Sequence, residues 1–129
     1  RRLEPGQTDE GRMGAEDAAR ATLEQFIDAT ARRDLSLMRS LFHADAAFSG
    51  RLGQREVVGS IYPFFDHLAQ NEVFSTYAAR IVALSAAPGC AGARLEQREL
   101  FGATWDTFLH LRDGPDGWQI TAMLSCPRA

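Results

Sequence analysis

The chain has 129 residues, 45% of them hydrophobic and 24% charged, with a formal net charge of −3. That length suits one domain with a single core or one ligand cavity, and the slight acidity gives no electrostatic reason to expect nucleic acid or an anionic membrane as a partner. All fourteen basic residues are arginine, which excludes a lysine Schiff base and a P-loop.

Residues 1–13 are polar and aperiodic, with Pro5, Gly6 and Gly11, and read as a flexible tail. The remainder, 14–129, reads as one domain. Ala19, Leu23, Phe26, Ile27 and Thr30 recur at helical spacing and predict a first helix over Ala15 to Arg32. Asp34 is a good N-cap for a second helix ending at Phe42, with Leu37, Met38, Leu41 and Phe42 as its apolar side. A His43-Ala44-Asp45 turn then leads into a short strand carrying Phe48, and Gly50 to Gly53 reads as a turn. Glu56 to Gln70 reads as helix with Val57, Val58, Ile61, Phe64, Phe65 and Leu68 on one side, interrupted or kinked at Pro63.

The rest of the chain reads as strands. Val73 to Ser85 is followed by a turn-rich break over Ala86 to Gly92, and Arg94 to Phe101 alternates charged and apolar residues. Thr104 to Arg112 and Trp118 to Cys126 flank Asp113-Gly114-Pro115-Asp116-Gly117, a strong hairpin signal. Helices first and hairpin strands after predict an α+β fold with segregated layers. Cys90 and Cys126 are too few for a disulfide framework and lack metal-ligand spacing, so they read as reduced thiols of a cytoplasmic protein. No run approaches the length of a membrane span, and no signal peptide is visible.

The long helix, the Arg-Asp break and the Leu41-Phe42-His43-Ala44-Asp45-Ala46-Ala47-Phe48 entry into a strand resemble the opening of the nuclear transport factor 2-like superfamily. Together with Trp105 to Ile120 they are most similar to its lumazine-binding/SnoaL-like polyketide cyclase group, over about Ala15 to Cys126. The resemblance implies N-terminal helices packed on a curved mixed or antiparallel sheet, a cystatin-like half-open cone with an internal cavity. It also implies a homodimer through the outer sheet face. A shared fold does not imply shared chemistry. In ketosteroid isomerase, a member with known chemistry, the carbonyl-polarising tyrosine falls on Phe26, the general-base aspartate on Gly50 and the protonated aspartate near Thr107. All three functional groups are missing here, so isomerase chemistry does not carry across. Glu96 and Arg98 mimic only part of the Asp-Arg-Asp set of limonene epoxide hydrolase.

Strand alternation puts Trp105, Thr107, Leu109 and Leu111 on one face and Asp106, Phe108, His110 and Arg112 on the other, and the more apolar set is expected inside. A one-residue slip would exchange the two. The expected ligand pocket is lined by Phe26, Phe48, Phe64, Trp105, Thr107 and Leu109, an aromatic-rich wall suited to a flat hydrophobic ligand. Acid–base chemistry, if present, is expected first from His67 with Tyr62 near the cavity mouth, then from Glu99 as a semi-buried base, then from Asp106 with His110. The plainer readings are a surface histidine for His67, and solvent or interface for Asp106 and His110. His43 reads as a helix-end or solvent residue, and Asp45 as a structural turn residue. No cofactor and no metal are expected, since no residues have zinc or iron spacing.

The expectation is therefore a small homodimer that binds or converts a hydrophobic small molecule. If enzymatic, it would be a cofactor-independent cyclase, dehydratase, isomerase or epoxide hydrolase. The alternative is a non-catalytic ligand-binding or dimerisation module whose cavity is filled by its own side chains.

Overall fold

The computed structural model describes residues 5–128, with side chains from Gly14 onward. Three helices precede or interrupt a six-stranded sheet: α1 (Pro5–Arg32), α2 (Leu35–Ser40), β1 (Phe42–Leu52), β2 (Arg55–Ser60), α3 (Tyr62–Gln70), β3 (Ala78–Ala87), β4 (Cys90–Leu100), β5 (Ala103–Gly114) and β6 (Gly117–Pro127). The helix α1 starts before the expected Ala15, within the stretch read as a tail. Its first residue is a proline, whose missing N–H is harmless in a first turn. Residues 1–4 of the expected tail lie outside the described residues.

The strand order is β2-β1-β6-β5-β4-β3. Every neighbouring pair is antiparallel except β1 and β6, which run parallel. The mixed sheet is open, and helices cover one face of it, as the expected α+β cone requires. Ala19, Leu23, Phe26 and Ala29 of α1 are buried against that face, and α1 lies closest to β3. These are the positions that helical periodicity selects, with Ala29 in place of the half-buried Ile27. Arg33 takes a left-handed conformation (φ 51°) where α1 ends. Its guanidinium donates to the carbonyls of Leu68 (3.0 Å) and Ala69 (2.7 Å), satisfying acceptors near the end of α3 that have no helical partner. One side chain thus ties the end of the first helix to the end of the third.

The capping expectation at Asp34 holds: its carboxylate accepts from the Leu37 N–H at 3.0 Å. Several further boundaries differ from expectation: Gly50 to Leu52, expected in a turn, belong to β1, and β3 begins at Ala78 rather than at Val73. Strand β1 begins at Phe42, because His43 to Asp45 continue as extended chain and a register shift between Phe42 and Ala47 absorbs them. The segment Glu56 to Gln70 is not one kinked helix. Residues 55–60 form β2 against β1, and α3 starts only at Tyr62, with Pro63 in its first turn. The β-branched pair Val57 and Val58 suits a strand, while Pro63 fits a helix start far better than a helix interior.

The hairpin signal at 113–117 closes as expected, with Gly114 paired to Gly117 and Gly117 at φ 88°. Inside the sheet, Phe26, Phe42, Phe48, Phe64 and Phe65 form one aromatic cluster with ring centroids 5.4–6.5 Å apart. Such pairs add to the burial of their area. No helix among the described residues is long and apolar enough to cross a membrane.

Candidate functional site

On β5 the residues Trp105, Thr107, Leu109 and Leu111 point inward and are buried, while Phe108, His110 and Arg112 are exposed on the other side. On β4 the inward positions are Ala93, Leu95 and Gln97; on β6 they include Ile120, Met123 and Ser125. These parities bring four polar side chains from four different segments into one buried line. The Tyr77 hydroxyl donates to Gln97 Oε1 at 2.7 Å, and Gln97 Nε2 donates to Thr107 Oγ1 at 2.9 Å. Thr107 Oγ1 and Ser125 Oγ share a hydrogen bond at 2.9 Å. Thr30 of α1, whose hydroxyl donates to the Phe26 carbonyl at 2.9 Å, adjoins the Tyr77 end. Burial pushes the Tyr77 phenol well above its ordinary range, with hydrogen bonding to Thr30 opposing in part, so the phenol stays protonated.

The line is electrically neutral throughout. Each buried polar group in it has a partner, which is what makes burial affordable in free-energy terms. It lies among the expected pocket residues: Phe26, Phe48, Phe64, Trp105, Thr107 and Leu109 are all buried. The rings of Phe26, Phe48 and Phe64 pack on one another, and Trp105 Nε1 donates to the Leu100 carbonyl at 2.7 Å. Gln97 falls within the strand that the sequence reading weighed. Tyr77, Thr30 and Ser125 were missed there. The available signal was a polar residue at the inward parity on several strands at once.

The ionisable candidates are placed elsewhere. His67 lies on α3 edge-on to Phe101, with ring centroids 4.7 Å apart, and near the β1–β2 turn, where a Cβ on Gly53 would come within 3.9 Å of it. Desolvation, with the charge of Arg55, lowers its pKa below the usual value and favours the neutral imidazole. Tyr62 is exposed and packs edge-on to Phe65 at 5.9 Å. Five residues apart on a helix, the two side chains diverge by roughly 140° around the axis, and the structure does not bring them together. Glu99 is exposed rather than semi-buried. It adopts a left-handed backbone (φ 56°) at an irregularity between Gln97 and Leu100, which turns Leu100 inward in its place. His43 Nδ1 accepts from the Asp45 N–H at 3.0 Å, a local contact at the start of β1 on the exposed side.

Asp106 and His110 are both on the outer face and do not meet. Asp106 accepts from Arg94 (3.1 Å) and from Arg128 (2.9 and 3.1 Å). Next to it, Glu96 receives Arg98 and Arg128 at 2.7 Å and Arg80 at 3.4 Å. Its side chain is only 4% exposed beneath these guanidinium groups. Hydrogen bonds from Arg80 and Arg98 lead in pulling its pKa down to about 2, and Arg128 with Arg94 does the same for Asp106. Such carboxylates are poor proton acceptors near neutrality. Among the described residues no group of three or more His, Cys, Asp or Glu is arranged to hold a metal ion.

Position 50 has a further geometric property. A Cβ built on Gly50 would lie 2.6 Å from the Ser125 carbonyl oxygen, across the parallel β1–β6 contact. The close approach of the two backbones requires glycine, and it excludes a carboxylate at the position where the isomerase resemblance places a general base.

A family model described as "Putative lumazine-binding" matches residues 14–124. No curated protein matches the sequence. Solved structures match over most of their length. One is an NTF2-like protein of unknown function from Shewanella baltica, 18% identical, covering 88% of this chain and 93% of that one with a TM-score of 0.78. Another is a putative calcium/calmodulin-dependent protein kinase type II association domain from Thiobacillus denitrificans, 14% identical, covering 85% and 94% with a TM-score of 0.69. A third is a ketosteroid isomerase-like protein from Erwinia carotovora, 18% identical, covering 88% and 96% with a TM-score of 0.66. At these identities the structural likeness speaks for the fold alone.

Proposed function

Since the chain belongs to the family described as putative lumazine-binding, within the nuclear transport factor 2-like superfamily, we propose that it is a small-molecule-binding domain that recognises a neutral, hydrophobic ligand inside the cone. The observation that carries this reading is the buried Tyr77–Gln97–Thr107–Ser125 line set among aromatic and aliphatic walls. Hydrogen-bonding groups of this kind can exchange partners with the polar edge of a flat ligand, while the rings supply apolar area. The strand faces that look inward carry no carboxylate or histidine among the described residues. Binding without turnover is therefore favoured over acid–base catalysis. We also propose that the protein works as a homodimer through the outer sheet face. Val58, Leu124 and Phe108, which flank one register row with Ser49, are exposed there and line an apolar groove of about 460 Å³. Two exposed, unpaired thiols at Cys90 and Cys126 suit a reducing cytoplasm.

A second reading rests on His67. It is half-buried, held neutral and packed against Phe101 at the edge of the sheet, which are the properties of a base for a cofactor-independent isomerase, lyase or hydrolase.

Native mass spectrometry of freshly purified protein tests both readings. The expected result is a dimer with a discrete extra mass that is absent from Gln97→Leu at equal fold content. A ligand-loaded dimer whose ligand is converted, with turnover lost in His67→Gln, would move the conclusion to the enzyme. A dimer with no extra mass and no thermal shift across hydrophobic metabolites would leave a filled-core association module. A monomer would remove the outer-face proposal.

A further inference from the structure

The outer face holds a second polar assembly that the cone interior does not use. Among the described residues, Arg80, Arg94, Arg98 and Arg128 surround two carboxylates, Glu96 and Asp106. Four positive groups against two negative ones leave a local excess of positive charge on a chain whose total is −3. The pairing also uses the guanidinium groups unequally. Arg128 uses both Nε and a terminal nitrogen, reaching Glu96 and Asp106 together. Arg80 and Arg98 each reach Glu96 Oε1 through Nε alone, at 3.4 and 2.7 Å, and among the described residues their terminal nitrogens have no partner.

Strand register sets these two arginines side by side. Arg80 on β3 is opposite Glu96, and Ala78 is opposite Arg98, so Arg80 and Arg98 are diagonal neighbours on one face of a strand pair. The small Ala78 and Ala79 leave a groove of about 450 Å³ between them, floored by Glu96. The arginines remain 67% and 62% exposed on β3, the free edge of the sheet, and its neighbour β4. The apolar row through Val58, Leu124 and Phe108 starts at the opposite edge, so a partner copy seated there need not cover this groove.

We infer that Arg80 and Arg98 form a binding site for a phosphoryl group. Glu96 holds each guanidinium by its inner N–H, which fixes the direction of the side chain and leaves the outer N–H edge facing the groove. Guanidinium forks match phosphate oxygens in pairs, and two forks suit a tetrahedral dianion better than a single carboxylate, which one fork satisfies. The carboxylate floor serves orientation: with its pKa near 2 it stays ionised, and the bound dianion meets the outer edges of the guanidiniums rather than Glu96 itself. The site is independent of the cone ligand and stands or falls separately from it.

Isothermal titration calorimetry with phenyl phosphate at fixed ionic strength tests the site, with benzoate as the carboxylate control lacking a phosphoryl group. Saturable one-site binding of phenyl phosphate is expected, at least tenfold tighter than benzoate. Arg80→Gln and Arg98→Gln should each weaken it several-fold, and the double variant at least tenfold, with thermal unfolding still cooperative. Because loss of both arginines could disturb Glu96, Arg98→Lys is the second measurement. It keeps the charge but loses the fork, and it should also weaken phosphate binding. Sedimentation with phosphatidylcholine vesicles containing phosphatidic acid assigns the source. Arginine-dependent capture points to a lipid headgroup, and calorimetric binding without capture points to a soluble phosphate ester. Equal weak responses to phenyl phosphate and benzoate, or unchanged phosphate affinity in the double variant, overturn the inference.

Discussion

The two faces of one sheet solve the same problem in opposite ways. Gln97 and Glu96 are adjacent in the chain and each is almost fully enclosed. Gln97 points inward and is satisfied by neutral partners, Tyr77 and Thr107. Glu96 points outward and is satisfied by charged ones, Arg80, Arg98 and Arg128. The difference follows from what lies above each face. Beneath a helix layer, an ion would lose its hydration with little in return. On the open face, arginine side chains lie over the carboxylate while their own heads stay in water. Enclosure alone therefore does not decide whether a buried side chain is neutral or charged; the solvent access of its partners does.

The sharpest break in that contrast is at the aromatic wall. Phe64→Ala should cost about 3–5 kcal/mol in denaturant unfolding, since its ring contacts four other phenylalanines or their neighbours in the core. Phe108→Ala, on the outer face of the same sheet, should change monomer stability by only about 1 kcal/mol or less. A similar loss in both would erase the distinction between the faces.

Next in size are the polar lines. Gln97→Leu removes the Gln97 acceptor from the Tyr77 hydroxyl, leaving it only Thr30, and removes one hydrogen bond of Thr107; it should destabilise by about 1–3 kcal/mol, measured by chemical denaturation. Gly50→Ala should fall in the same range, about 1–3 kcal/mol, because the new methyl group meets the Ser125 carbonyl and the β1–β6 contact must open. Wild-type stability at position 50 in that variant would contradict the tight approach of the two strands.

Acid titration separates the faces by protonation. Glu96 and Asp106 have folded pKa values of about 2, below their ordinary 4.5 and 3.8. Their stabilisation is therefore complete above those ordinary values and is lost as the pH falls toward 2. Thermal melts of wild type should drop through that window, whereas Glu96→Gln should show a shallower acid slope and Gln97→Leu an unchanged one. The smallest effect belongs to His67. Its lowered pKa means that the unfolded chain binds the proton more readily, so stability falls as the pH drops below 6.5. His67→Gln should flatten that modest decline, and melts between pH 7.5 and about 5.5 would detect it.

Much of this contrast is legible in the sequence, and the part that is not has a physical cause. The inward set on β5 follows from alternation alone, because a strand buried on one face leaves its register little freedom. The apolar stripe of α1, the cap at Asp34 and the 113–117 hairpin follow from equally local rules. Strand β2 was hidden because Val57, Val58 and Ile61 fit a helical stripe as well as a strand, and Pro63 reads as a kink until the helix is seen to begin there. Glu99 was misplaced because simple alternation has no means to anticipate a left-handed residue other than glycine. The neutral line escaped because its members come from α1, the 71–77 connection and three strands, and only the assembled sheet sets them in order. Arg128 lies far along the chain from Glu96, and no pattern within either segment announces their meeting.

The one parallel pairing in the sheet has a consequence for how the chain reaches this state. Strands β3 to β6 join through successive hairpins and can zip together as they emerge, but β1 finds its place only beside β6. Phe48 must wait for Met123, which lies about two thirds of the domain's length further along the chain, before its strand has a neighbour other than β2. On a translating ribosome, the N-terminal half, with its cluster of phenylalanines, is thus made long before the strand that shields it. Contacts so distant in sequence slow folding and lengthen the exposure of sticky intermediates, so the demand for chaperone protection is greatest while β1 and β2 wait for the strand between β1 and β5.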